Sequence, residues 1–349
     1  MKDASLNLAI TRACNHTCGH CYVDSTLKGP PVGKMALEDW TSVLEQAAEL
    51  GFRHVHVFGG EPFLHPQLRE VCEEAVARGL EYNMATNGSL VTDEDLDWLQ
   101  ATGGSLVLNV HGLAAHHDEF CGNRGSFARL VELVPRLLER DVDAAVATCV
   151  TRSNVGQFIE VVRTFARLGV RSFFALHFSP LGRGGNLLEE MIPPGNWWRL
   201  YGALRGELAD LRRSYGRNVE IYFELATYPT EDRSVLLQTQ EVSPCPLPHR
   251  PNFVVDWDGR VFPCILFLND PNWVLGDASR EPLAEVLGEL NISWVRERLR
   301  FDCRGCRNYF RCQGGCLAYS LGASRDFRCA GDGSSAKFLP FCPLRTVQV

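Results

Sequence analysis

Cys14-Asn15-His16-Thr17-Cys18-Gly19-His20-Cys21 follows directly on the apolar run Leu6–Ile10, the first stretch of the chain that reads as a strand. Three cysteines spaced x3 and x2 in a loop at a strand end are a metal-ligand pattern. They supply one thiolate fewer than the four that hold an iron–sulfur cluster kept for electron transfer alone. A four-iron cubane on three thiolates leaves one iron for a ligand from outside the protein. A zinc site completed by His16 or His20, or three unrelated buried thiols, would use the same residues.

Downstream of this loop, short β-branched and apolar runs alternate with longer amphipathic ones. That alternation predicts parallel strands joined by crossover helices. The strands are expected at Leu6–Ile10, His54–Phe58, Glu81–Thr86, Leu106–Val110, Ala144–Thr151 and Ser172–Phe178. The helices are expected at Ala36–Leu50, Gln67–Arg78, Asp93–Gln100, Ser126–Arg140 and Val155–Leu168. Thr92 before Asp93-Glu94-Asp95 reads as an N-cap with an acidic first turn. Gly51, Gly79 and Gly169 fall where three of the helices should stop. Periodicity alone fits either a partial (β/α)6 barrel or a doubly wound sheet.

Both architectures place active-site groups at the carboxyl ends of strands, and the distinctive residues fall there. The cysteine loop follows strand one and Gly59-Gly60-Glu61-Pro62 follows strand two. Thr86-Asn87-Gly88 follows strand three, Asn109-Val110-His111-Gly112 strand four, and Ser179-Pro180-Leu181-Gly182-Arg183 strand six. Glycines let a backbone approach a ligand closely, and an acidic side chain favours a bound cation.

Taken together, the Cys14, Cys18, Cys21 spacing and the Gly59–Pro62 run one unit later resemble the radical S-adenosylmethionine (SAM) enzymes. The resemblance implies a partial (β/α)6 TIM-type barrel. It also implies a [4Fe–4S] cluster on Cys14, Cys18 and Cys21, whose open iron chelates SAM, and reductive cleavage of SAM to a 5′-deoxyadenosyl radical. By the same resemblance Gly59, Gly60, Glu61 and Pro62 would receive the SAM ammonium. Thr86 and Asn87 would meet its ribose or carboxylate, Arg183 its adenine and carboxylate, and His20 its adenine. Tyr22 follows the third cysteine, as is frequent in the family. As polar strand ends and a surface arginine, Thr86, Asn87 and Arg183 also have ordinary structural readings.

The last hundred residues carry a second cysteine system. Trp197–Arg217 reads as a long charged helix and Asn218–Leu225 as a strand, and the boundary is placed between 225 and 226. Beyond it come Cys245, Cys264, Cys303-x2-Cys306-x5-Cys312-x3-Cys316, Cys329 and Cys342. Asp258-Gly259 between Asn252–Val255 and Arg260–Phe262 predicts a type I′ hairpin turn. The spacing resembles the SPASM domain, a cysteine-rich extension of one radical SAM subfamily that usually holds two auxiliary [4Fe–4S] clusters. That resemblance implies Cys303, Cys306, Cys312 and a late cysteine, Cys342 being favoured, on one cluster and Cys245, Cys264 and Cys316 on the other. Cys329 is left either as that cluster's fourth ligand or without a role. A zinc ribbon over Cys303–Cys316 is the alternative.

Of the remaining thiols, Cys72 falls within a helix and reads as core. Cys121 is expected in the loop after strand four, on the catalytic side. There the resemblance allows it to return a hydrogen atom to a substrate radical, beside plain loop packing. Cys149, near the end of strand five, has a weaker case for the same role. Asp118, Glu119 and His111 are further acid–base candidates, explained equally well by a solvated loop.

With 45% hydrophobic and 22% charged residues and a net charge of −7, the chain is ordinary for a soluble protein and gives no reason to expect nucleic acid. It has no run of about 18 apolar residues for a bilayer and no signal-peptide pattern at Met1-Lys2-Asp3-Ala4-Ser5. Fourteen cysteines, eleven of them at metal spacings, in a chain of 349 residues point to a reducing, cytoplasmic setting rather than a disulfide framework. Enzymes of the resembling subfamily act mostly on ribosomally made peptides, so oxidative modification of a peptide, such as crosslinking, is the first expectation. Oxidation, epimerisation or dehydration of an aminoglycoside, tetrapyrrole or cofactor precursor is the second. The resemblance further implies a flavodoxin- or ferredoxin-type reductant. Thirteen residues before the first ligand leave no room for a leader-gripping domain, so either a separate leader-peptide-binding protein or a small-molecule substrate is expected. A multi-cluster electron carrier is the non-enzymatic alternative.

Overall fold

The computed structural model describes residues 5–29, 33–192, 194–216, 218–226, 252–288 and 343–348. Seven strands alternate with helices from the N-terminus: β1 Ser5–Thr11, α1 Leu37–Glu49, β2 His54–Gly59, α2 Leu68–Ala77, β3 Glu81–Thr86, α3 Asp93–Thr102 and β4 Ser105–Asn109. Next come α4 Ala114–Cys121, α5 Ser126–Leu138, β5 Ala144–Val150, α6 Phe158–Leu168, β6 Ser172–His177, α7 Pro194–Tyr215 and β7 Glu220–Ala226. Then follow β8 Asn252–Asp256, β9 Arg260–Phe262, β10 Gly276–Asp277, α8 Leu283–Gly288 and β11 Pro343–Gln348.

All eleven strands form one mixed sheet in the order β10-β9-β8-β1-β2-β3-β4-β5-β6-β7-β11. β8 and β1 to β7 run parallel, while β9, β10 and β11 pair antiparallel. This is the α/β partial-barrel arrangement that the resemblance implied and the alternation alone left open, with the order of its first six strands equal to their order in sequence. The sheet also continues at both edges. The β8–β9 hairpin docks on β1, with Leu6 opposite Phe253 and Leu8 opposite Val255. β11 docks on β7.

Strand side chains alternate between two faces. Leu6, Leu8, Val55, Val57, Met84, Leu106, Leu108, Val146, Phe173 and Ala175 pack under the helices against Trp40, Leu44, Val71, Leu96, Leu133, Val161 and Phe165 in one buried core. Each such side chain stabilises the fold by about 1.5–3 kcal/mol. The interior face is more polar. Asn7 donates to Asn252 Oδ1 at 2.6 Å and to Phe253 O at 2.8 Å, and His56 is hydrogen-bonded to Asn83. Cys72 lies in the helix-side core, as its position in α2 implied. The Thr92 cap is a complete capping box with Asp95.

Two local expectations are corrected. Residues 114–121 are helix rather than loop, so Cys121 is the last residue of α4. The β8–β9 turn is not type I′, which needs positive φ at two successive residues. Here Gly259 has φ 91° and Asp258 is not among the residues with positive φ. Gly259 N–H donates to Asp256 O at 2.9 Å. The result is a three-residue loop, residues 257–259, closed by a left-handed glycine.

Candidate active site

The cysteine loop is built as a hub, tied by hydrogen bonds to five neighbouring segments. Its own ends close first: Cys14 N–H donates to Thr26 O at 3.1 Å and Thr26 N–H to Arg12 O at 3.3 Å. Within it, Cys21 N–H donates to Cys18 O at 3.3 Å and His16 N–H to Cys14 Sγ at 3.4 Å.

The end of β2 is pressed against the loop's first residues. Gly60 N–H donates to Thr11 O and Glu61 N–H to Ala13 O, each at 2.8 Å. A Cβ on Gly60 would sit 1.9 Å from Ala13 O, and one on Gly59 2.3 Å from Thr11 O. The glycines therefore let two backbones close on each other beneath the cysteines. Glu61 is fully buried. Its Oε1 accepts from Thr86 Oγ1 at 2.7 Å and Phe63 N–H at 3.3 Å, and its Oε2 from Asn87 N–H at 2.8 Å. Asn87 Nδ2 in turn donates to Asn15 Oδ1 at 2.9 Å, so Glu61, Thr86 and Asn87 join the ends of β2 and β3 to the loop.

Burial pushes the Glu61 carboxyl up to about 7, against those hydrogen bonds. In the metal-free chain its folded pKa then exceeds the ordinary 4.5. The folded state keeps a proton that the unfolded state has lost, so the Glu61 contribution to stability falls as pH rises from 4.5 through 7. Urea unfolding should show Glu61→Gln lacking that slope relative to wild type. Glu61→Ala leaves Asn87 N–H and Thr86 O–H unsatisfied and is expected to cost about 1–3 kcal/mol at pH 5. An unchanged urea midpoint would rule this bracing role out.

On the opposite side, α4 ends on the loop. Thr17 N–H donates to Cys121 O at 3.1 Å and Gly19 N–H to Phe120 O at 3.3 Å, satisfying carbonyls that a helix C-terminus leaves free. The His20 ring stacks on Phe120 with centroids 4.6 Å apart and meets His111 edge-on at 4.2 Å. Burial holds His20 down to about 3 and His111 well below its ordinary value, so both rings are neutral. His111 Nδ1 accepts from Cys149 N–H at 3.1 Å, and Asn154 Nδ2 donates to both His111 O and Cys149 O. Asp118, an acid–base candidate in the sequence, instead accepts from Gly125 and Phe127 N–H at the start of α5.

From β6, Arg183 Nε donates to Cys18 O at 3.0 Å and Nη1 to Ser25 O at 2.5 Å and Asp24 Oδ1 at 3.1 Å. Its own N–H reaches Cys21 O at 3.0 Å. One planar fork thus serves three acceptors from two separate nitrogens, a fixed spread that the single nitrogen of an ammonium does not reproduce. Arg183→Ala is expected to lower iron retention by roughly 10–100-fold, the scale of lost ligand-supporting contacts, and Arg183→Lys should not restore it. Iron and sulfide assays after anaerobic gel filtration check this.

The fifth tie comes from the C-terminal hairpin. Arg12 Nη2 and Nε meet Asp256 Oδ2 and Oδ1 at 2.6 and 3.2 Å, and Arg12 Nη1 donates to Val23 O at 2.9 Å. Asn269 Nδ2 donates to Tyr22 O at 2.6 Å. Cys21, Tyr22 and Cys264 pack against one apolar cluster with Phe58, Val254 and Phe267. Burial raises the Tyr22 phenol, keeping it neutral. Arg12, Asn15, Phe120, Asp256 and Asn269 were not singled out in the sequence, because each acts through a partner distant along the chain.

Cys14, Cys18 and Cys21 are half-buried and sense one another electrostatically. Burial pushes the Cys14 thiol up to about 12, and the Cys21 thiol is raised for the same reason. Cys18 is raised first by its contact with Cys121 and then by burial, while Arg183 works the other way on Cys18 and Cys21. Thiols of this kind deprotonate on binding metal. Three half-buried soft donors on one loop beside a guanidinium have the donor chemistry of an iron–sulfur site. Cys245, Cys303, Cys306, Cys312, Cys316, Cys329 and Cys342 lie outside the described residues.

The sequence pattern of the Radical SAM superfamily matches residues 8–165, and that of an iron-sulfur cluster-binding domain, SPASM, matches residues 241–307. The chain carries a radical SAM domain and a SPASM domain. It is 28% identical over 193 residues to the AdoMet-dependent heme synthase of Methanosarcina barkeri, covering 55% of this chain and 54% of that protein. It is 27% identical over 353 residues to the PqqA peptide cyclase of Gluconobacter oxydans, covering 97% and 90%. The fold matches Streptococcus suis SuiB bound to precursor peptide SuiA with a TM-score of 0.74 at 17% identity, over 93% of this chain and 74% of that one. The chain spans about half the length of the heme synthases that it matches. No helix among the described residues is long and apolar enough to cross a membrane.

Proposed function

We propose that this chain is a radical SAM peptide maturase. The carrying observation is the braced three-cysteine hub at the carboxyl ends of the barrel strands. Near-full-length similarity to the PqqA peptide cyclase supports a peptide substrate. Cys14, Cys18 and Cys21 would hold a [4Fe–4S] cluster; reduced by a flavodoxin or ferredoxin, it would supply the electron for cleavage of SAM and hydrogen abstraction from the peptide.

The chain's own groups then have defined tasks. Gly59-Gly60 and Glu61 set the height of the cysteine loop over the barrel, and Pro62, first residue of a short 3-10 turn, directs the chain away from it. The neutral His20 face, backed by Phe120 and His111, offers a flat wall to adenine. Thr86 and Asn87 hold the third strand end against the loop while lying within its polar rim. Tyr22 and Cys264 share the apolar cluster that joins the cysteine loop to the SPASM segment, and auxiliary clusters held by that segment would take up the electron left after hydrogen abstraction. Two auxiliary clusters bring the total to about twelve irons per chain.

Reconstituted protein with SAM, dithionite and a short peptide encoded beside its gene should yield 5′-deoxyadenosine. The peptide should lose two hydrogens per crosslink, seen by mass spectrometry. A second reading, oxidation of a tetrapyrrole, is favoured by the similarity to heme synthases. Turnover with porphyrin precursors and none with peptides would select it.

A further inference from the structure

Where the cysteine loop faces α4, a second donor group forms. One ligand atom each from His16, Cys18 and Cys121 lie within 4.8 Å of one another. His16 is 1% exposed, and neither ring nitrogen has a hydrogen-bond partner. Leaving a buried polar group unsatisfied costs stability, so this ring sits in the fold without the bonds that normally compensate burial. The backbone bonds from Thr17 and Gly19 to Cys121 and Phe120 fix the two segments that carry the donors. His117, whose ring nitrogens lie 3.7 and 3.9 Å from Cys121 Sγ, is already committed. Its Nδ1 accepts from His111 N–H and its Nε2 is bonded to Ser126 Oγ, each at 3.1 Å.

We propose that the cluster-free chain binds one thiophilic divalent cation, zinc foremost, through His16, Cys18 and Cys121, with water as fourth ligand. Two thiolates and an imidazole are a zinc donor set. Zn–S bonds of about 2.3 Å and Zn–N bonds of about 2.0 Å put tetrahedral ligand atoms roughly 3.4–3.8 Å apart, within reach by small side-chain rotations. Binding displaces two thiol protons and changes no oxidation state. The donors therefore differ from the loop-only zinc site that the sequence alone allows, since one thiolate comes from a helix a hundred residues away. Cys18 cannot serve both centres, so zinc here and the cluster on Cys14, Cys18 and Cys21 exclude each other. Only that competition rests on the radical SAM reading; the zinc site itself does not.

Cobalt(II), a spectroscopic stand-in, tests it on the reduced, metal-free full chain under anaerobic conditions. Cys121→Ser is expected to bind one equivalent fewer than wild type. The wild-type minus variant spectrum should show tetrahedral d–d bands and sulfur-to-cobalt charge transfer. His16→Asn should weaken the same equivalent at least about tenfold, toward the range seen for lost metal-site contacts. Zinc added first should slow iron loading of wild type and leave Cys121→Ser unaffected. Equal stoichiometry and superimposable spectra would overturn the proposal. Should the variants fail to fold, zinc-dependent slowing of Cys121 alkylation in wild type, read by mass spectrometry, decides instead: slowing supports the site and equal rates reject it. Iron loading without zinc, and SAM cleavage, test the enzymatic reading separately.

Discussion

Cys14→Ala is expected to abolish 5′-deoxyadenosine formation, a drop of more than about a thousandfold. That exceeds the roughly 10–100-fold typical when only a contact supporting a ligand is lost. With two thiolates left, the loop cannot hold a four-iron cluster, and iron should fall by about four per chain. Cys14 is also the residue whose N–H closes the loop onto Thr26 and whose sulfur receives the His16 N–H. Cys14→Ser keeps the backbone bonds and should lose activity as completely, which separates ligation from folding. Iron and sulfide content, with chromatography of the SAM products, are the measurements. Wild-type turnover in Cys14→Ala would mean that the loop is structural.

Asp256→Ala is expected to destabilise the chain by about 3–5 kcal/mol, the range for breaking a buried ion pair from one side. The Asp256 carboxylate is fully buried and the Arg12 side chain only 13% exposed. Burial drives the Asp256 carboxyl up, and Arg12 offsets that only in part. Removing the carboxylate leaves the Arg12 guanidinium at the base of the cysteine loop without its counter-charge, held only by neutral acceptors such as Val23 O and Leu268 O, and takes away the side-chain tie between β8 and the end of β1. Replacing both partners with apolar residues, Arg12→Met with Asp256→Leu, should recover much of the loss, since desolvation then no longer opposes folding. Urea denaturation of the three variants gives the comparison. A loss below about 1 kcal/mol in Asp256→Ala would show that the pair contributes no more than a surface ion pair does and would contradict this role.

The strand ends were legible because the apolar periods are long and the special residues recur at the same point in each unit. Four of the segments that meet at the hub, following strands one, two, three and six, could be named from order alone. Helix α4 could not. Its eight residues contain His116, His117, Asp118 and Glu119, it buries only His117 and Cys121 one turn apart, and no side chain caps its start. The one local sign was Gly122, which ends the helix with φ 62°. Missing α4 also hid the orientation of Cys121, which faces the cysteine loop. The hairpin was readable from Asp258-Gly259, but its docking on β1 was not, because edge pairing leaves no local period. Arg12 and Asp256 are 244 residues apart, and nothing in either neighbourhood marks the other.

The most direct measurement is electron paramagnetic resonance of the anaerobically reconstituted, dithionite-reduced full chain, recorded with and without SAM. A cluster on Cys14, Cys18 and Cys21 alone should give a signal whose g-values shift when SAM occupies its open iron, and Cys14→Ala should lose that component. A spectrum indifferent to SAM, with no 5′-deoxyadenosine formed, would contradict the account.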